Sequence, residues 1–210
     1  FITKCHNLIK KSSVNTTATH IWPWSQGPYP KMPSFEEKFG ISGGIITAVD
    51  LLKGLATLTG LHAPNIEGAT GFTDTNYANK MDAAFNILKN HDFCYIHIEA
   101  PDECGHMGDA SLKTQSIEDF DKNVCHPIQQ YCQNNPNTMV LIMPDHPTPC
   151  RLKTHTRSPV PFILYSPNST PSFTAQRYTE NYAKQTGLIA PSSWELTTHM
   201  IQKKALIPPK

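Results

Sequence analysis

Apolar residues follow two rhythms along the chain. Between residues 77 and 89, Met81, Ala84, Phe85 and Leu88 recur at the spacing of one helix face, with Thr75 or Asn76 placed to cap the run. Leu112, Ile117, Phe120, Val124 and Ile128 repeat that rhythm. They predict a long helix from Ala110 to about Gln133, kinked by Pro127. Phe1 to Lys11 reads as an amphipathic helix, and Thr47 to Thr57 as another, closed by Gly60. Ser34 caps a short helix whose first turn carries Glu36 and Glu37, where the helix dipole favours acids, and Gly40 ends it. Tyr182 to Thr186 and Trp194 to Lys204 predict two closing helices.

The second rhythm is the short apolar run. Phe93–Ile98, Thr138–Met143 and Val160–Tyr165 read as strands, and Gly43 opens a further short strand or turn. Thr138–Met143 has the character of a central parallel strand. Gly105 and Gly108 fall in a loop after the first of these runs. The alternation of strand and helix predicts an α/β layered domain with a largely parallel central sheet flanked by helices. Before it, Ser12 to Thr19 is polar and His20 to Pro33 is irregular and rich in proline and tryptophan. Residues 1–33 are accordingly a connecting segment, and 34–210 the main domain. The chain opens at Phe1 in what looks like the middle of a helix, so we read it as part of a longer polypeptide.

Composition narrows the function classes. The 210 residues carry 18 basic and 17 acidic side chains, a formal net charge of +1. That balance argues against a polybasic nucleic-acid surface. No apolar run approaches the roughly 18 residues of a membrane span. The six cysteines include no C-x-x-C pair, which argues against a zinc ribbon. Cys94, in an apolar run, reads as a buried thiol. Free thiols and the lack of an export signal favour a cytoplasmic setting.

Three segments carry chemistry. Asp102 and His106 follow the Phe93–Ile98 strand, Asp145 and His146 follow Thr138–Met143, and His155 precedes Val160–Tyr165. Ligands of open parallel sheets bind beyond the carboxyl ends of the strands. Carboxylate and imidazole both suit zinc or manganese. Five such groups exceed one tetrahedral site and suit two ions about 3.5–4 Å apart, the arrangement of two-metal phosphoryl chemistry. His97, inside an alternating strand, reads as packed or hydrogen-bonded rather than ligating.

HIEAPDECGHMGD (97–109), MPDHPTP (143–149) and THTRSPVPF (154–162) resemble the 2,3-bisphosphoglycerate-independent phosphoglycerate mutases. The resemblance is to their archaeal-type branch, within the alkaline phosphatase superfamily. IWPWSQG (21–27), AVDLLKGLATLTG (48–60) and EGATGFTDTNYANK (67–80) are similar to that branch too. The resemblance implies an alkaline-phosphatase-like domain and two divalent metal ions (manganese, zinc, cobalt or magnesium), with no 2,3-bisphosphoglycerate. It implies that Asp102, His106 and His155 hold one ion and that Asp145 and His146 contribute to the second. It makes Lys80 a candidate for phosphate or carboxylate contact, although a helical lysine is more often solvated. The implied reaction interconverts 3-phosphoglycerate and 2-phosphoglycerate through a phosphoserine.

Family members are much longer. Their serine nucleophile, an aspartate that helps hold the second metal, and most of the substrate cap lie in an N-terminal part without a counterpart here. Arg151, Arg157 and Arg177 are the only arginines of the chain. A phosphatase or phosphodiesterase of the same superfamily would share the metal residues, and a truncated, non-catalytic metal-binding protein would keep them as well.

Overall fold

The computed structural model describes residues 1–24, 26–166, 177–190 and 192–202. The chain divides into two compact units, one ending at Lys31 and the other beginning at Met32. The first contains helix α1 (Ile2–Lys11), which ends on Lys10 and Lys11 and buries no residue. His6 stacks on His20 with ring centroids 4.2 Å apart, and its Nδ1–H donates to the Thr19 carbonyl.

The second unit opens with α2 (Phe35–Phe39). Ser34 Oγ accepts from Glu37 N, Ser34 N donates to the Glu37 carboxylate, and Gly40 ends the helix in the left-handed region. Strands β1 (Gly43–Ile46) and β2 (Phe93–Ile96) then pair in parallel, Gly43 opposite Phe93 and Ile46 opposite Ile96. Their connection holds α3 (Asp50–Thr59) and α4 (Tyr77–Leu88). The Asn76 side chain caps α4 by accepting from Asn79 N. Ile46, Ala84 and Ile87 form a buried cluster under Ile66, Ala83, Cys94 and Ile96. Each buried isoleucine side chain contributes roughly 1.5–3 kcal/mol. Gly44 permits the close approach of strand and helix, because a Cβ there would lie 2.6 Å from Ile87 Cδ1. His97 N donates to Ile46 O, and its ring meets the Thr47 hydroxyl at 3.3 Å, as a packed histidine should.

Three expectations are corrected downstream. The glycine-containing stretch after β2 is helix α5 (Ala100–Met107), not a loop. Pro101 and two acids favour its first turn, and Gly105 sits within it because a Cβ there would overlap the Thr148 carbonyl oxygen. Gly108 supplies the left-handed C-cap. The long helix is also interrupted. It runs as α6 (Ala110–Phe120), a π-helical turn over Asp121–Cys125, and α7 (His126–Asn134). Pro127 lacks an N–H and crowds the preceding turn, and the backbone slips register just before it. The N–H of His126 accordingly reaches back to Asp121 O.

Strand β3 (Val140–Ile142) is half-buried and pairs antiparallel with β4 (Ile163–Tyr165), Val140 opposite Tyr165. The run from 143 to 162 contains no helix to carry a parallel crossover, so the chain returns in the opposite direction. Helices α8 (Glu180–Thr186) and α9 (Ser193–Gln202) follow. Lys203 and Lys204, placed in the last helix by the sequence pattern, lie outside the described residues. No described helix is long and apolar enough to cross a membrane.

Candidate metal centre

Helix α5 places Asp102 in its first turn and His106 in its last. Four residues apart, they share one face, and His106 Nε2 lies 3.3 Å from Asp102 Oδ2. The loop beyond β3 delivers Asp145 and His146, and its continuation brings back His155. His155 Nε2 is 3.5 Å from Asp102 Oδ1 and 2.9 Å from His106 Nε2. His146 Nδ1 is 3.8 Å from Asp102 Oδ1, and the His146 and His155 rings stack at 3.7 Å between centroids. Asp145 Oδ2 is 3.3 Å from His146 Nε2, and Asp145 Oδ1 accepts from the His146 backbone N–H. The structure thus gathers Asp102, His106, Asp145, His146 and His155 into one connected cluster. Asp102, His146 and His155 offer donor atoms that all lie within 4.8 Å of one another.

The cluster fits a divalent cation. A metal with ligands at roughly 2.0–2.2 Å spaces its donors by little more than 3 Å, close to the separations around Asp102. The local charge favours one too. Burial raises the Glu99 pKa above the usual carboxylate value, and the acids Glu103, Asp102 and Asp145 raise it further, against a lowering pull from Lys80. Burial also lowers the His97 pKa, which opposes a charged ring there, while Asp145 acts against that shift.

Thr148 and the loop around it hold these groups. The buried Thr148 hydroxyl donates to Asp102 Oδ1, since a carboxylate only accepts. Its single proton is then committed, so at 3.3 Å from His146 Nδ1 it acts as the acceptor. Lys113 Nζ donates to the Thr148 carbonyl at 2.7 Å and ties the loop to α6.

Lys80 is at the start of α4 but is not solvated. It is 1% exposed, and its Nζ donates to Thr70 O at 3.0 Å. Burial lowers its pKa, while the Glu99 carboxylate acts in the opposite direction. The sequence reading did not single out Thr148, Lys113 or Glu99. Thr148 stands two residues beyond the Asp145–His146 pair, the one signal that marks it; Lys113 and Glu99 look like ordinary helix and loop charges.

A family model described as the metalloenzyme superfamily matches residues 6–202. A probable 2,3-bisphosphoglycerate-independent phosphoglycerate mutase of Geobacter sulfurreducens is 44% identical over 186 residues, covering 89% of this chain and 47% of the relative. The 2,3-bisphosphoglycerate-independent phosphoglycerate mutase of Methanosarcina acetivorans is 46% identical over 160 residues, 76% of this chain and 40% of its own. The solved structure of the PH0037 protein from Pyrococcus horikoshii matches with a TM-score of 0.67 at 29% identity, over 72% of this chain and 45% of that one. The cofactor-independent phosphoglycerate mutase from Thermoplasma acidophilum shares the fold at a TM-score of 0.61 and 21% identity, over 83% and 39% of the two chains. The chain spans about half the length of the curated relatives it matches. It is an α/β protein of that fold, and it belongs to the metalloenzyme superfamily, whose members depend on a divalent metal.

Proposed function

We propose that these residues form the metal-binding part of a 2,3-bisphosphoglycerate-independent phosphoglycerate mutase, an isomerase acting on 3-phosphoglycerate and 2-phosphoglycerate. The observation that carries the reading is the convergence of Asp102, His106, Asp145, His146 and His155 at the ends of β2 and β3. Asp102, His106 and His155 would hold one ion, and Asp145 and His146 would contribute to a second. Bound there, the ions would neutralise charge on a phosphoryl group and lower the pKa of an attacking serine hydroxyl. That serine, with the substrate cap, belongs to the portion of the relatives that this chain does not span.

The chain's own residues prepare the site. Thr148 and Lys113 fix the loop that carries His146 and His155. Asp102, on a helix, supplies a carboxylate that three imidazoles face. Lys80, whose Nζ donates to Thr70 O, would contact a phosphate or carboxylate oxygen of the substrate. Residues 1–33 would connect this domain to the cap. The six free thiols support a reducing, cytoplasmic setting.

The test is an assay of the full-length protein with 3-phosphoglycerate, after chelation and stepwise return of manganese, zinc, cobalt or magnesium. Activity should vanish on chelation and return with one or more of these ions. Replacing both Asp145 and His146 with alanine should abolish turnover and leave the far-ultraviolet circular dichroism unchanged. Native-like rates in that double variant would refute the assignment.

A further inference from the structure

Among the described residues, Lys153 is the only non-glycine with a left-handed backbone, at φ 54°. A side chain disfavours that region, and such residues persist where their surroundings hold them, often at functional sites. Here the turn is held from both ends. Leu152 N and Lys153 N both donate to Pro149 O at 2.9 Å, and Thr156 N donates to Pro147 O at 3.0 Å. The Lys153 side chain lies along the left-handed C-cap Gly108, where a Cβ would overlap its Cε.

The consequence of this turn is the direction of one carbonyl. Lys153 O lies 3.1 Å from His106 Nδ1. A carbonyl oxygen only accepts, so Nδ1 must carry the imidazole proton. In the neutral ring, Nε2 then keeps a lone pair, and it is Nε2 that faces Asp102 Oδ2 and His155 Nε2. Metal-bound histidines are commonly fixed this way, by a hydrogen bond from the ring nitrogen that does not touch the metal.

We propose that Lys153 is a positioning residue: its left-handed backbone aims a carbonyl at His106, selects the Nδ1–H tautomer and presents Nε2 as the donor to the cation. The inference rests on the metal-centre reading above. The backbone of Lys153 is what matters, and its ammonium is dispensable for this purpose.

Two variants of the full-length protein separate these contributions. Lys153→Gly removes the side chain and accepts the left-handed conformation freely. Lys153→Val is β-branched and resists it. Zinc titration of the chelated proteins should show Lys153→Gly within a few-fold of native and Lys153→Val weaker by about 10–100-fold. Nitrogen-15 spectra at alkaline pH, where imidazoles are neutral, should report Nδ1–H for His106 in native protein and a tautomer mixture in Lys153→Val. Equal losses in both variants would place the effect in the side chain and overturn the proposal, as would native-like zinc binding by Lys153→Val. If the valine variant does not fold, the native spectrum still decides, because Nε2–H on His106 contradicts the proposal outright. Native protein that binds no zinc would overturn the metal-centre reading instead, and the nitrogen spectrum would still judge the tautomer.

Discussion

His106 and His155, separated by 49 residues in sequence, bring their Nε2 atoms to 2.9 Å. Both nitrogens are aimed at the same small volume. Asp102 closes that volume with one oxygen toward each ring. Asp102→Ala should therefore weaken zinc or manganese binding by more than the roughly 10–100-fold typical of outer-shell changes. Isothermal titration of the chelated full-length protein measures this. A native-like affinity would remove Asp102 from the centre.

Thr148 meets two of the proposed ligands, Asp102 and His146, through one hydroxyl. Thr148→Val keeps the shape of the side chain and deletes the donor to Asp102 and the acceptor for His146 Nδ1. A loss of about 10–100-fold in metal affinity is expected. Restoration by Thr148→Ser would show that the hydroxyl, rather than the methyl, is responsible. An unchanged affinity in the valine variant would contradict the hydrogen-bond roles assigned here.

Gly105 lies inside α5 because the neighbouring loop leaves no room for a side chain. A Cβ there would overlap Thr148 O and come within 2.9 Å of Thr148 Cγ2, with Lys113 Nζ at 3.0 Å. Helix propensity alone would make alanine the better residue. Overpacking against a backbone atom should win, with Gly105→Ala destabilising the fold by about 1–3 kcal/mol. Denaturant unfolding reads the difference, and a stabilised variant would show that the loop does not press on α5.

Burial pushes the Cys94 thiol from its ordinary 9.0 up to about 12. The folded state therefore holds this proton more tightly than the unfolded state. The associated stability is fully present below pH 9 and is lost progressively as the pH rises toward 12. Native protein should lose stability more steeply over that interval than Cys94→Ala. Parallel pH dependences in the two would show that the thiol is not buried as described.

Much of this was legible in the chain. The cap residues Ser34 and Asn76, the closing glycines Gly40 and Gly60, and the helix positions Met81 and Ala84 are local signals, read locally, whereas the buried residue of the next turn is Ile87, with Phe85 and Leu88 only half-buried. The five acid and histidine residues were visible because each follows or precedes an apolar strand run. Three features depended on contacts distant in sequence. Gly105 looked like a loop residue because its reason for being small, Thr148 O, is supplied by another segment. β3 looked parallel because its partner direction is set by a long connection without a helix. Lys80 looked solvated because the carbonyl of Thr70 that receives it belongs to a turn whose packing no periodicity encodes. Lys153 gave no sign at all, since nothing in its neighbourhood marks a left-handed residue.

The central claim is that five side chains grip divalent cations. Anomalous diffraction from crystals of the full-length protein loaded with zinc or manganese tests it most directly. Peaks within normal coordination distance of Asp102, His106 and His155, and of Asp145 and His146, are expected, at roughly 2.0–2.2 Å for zinc. Peaks confined to other residues, with this cluster bare at saturating metal, would contradict it.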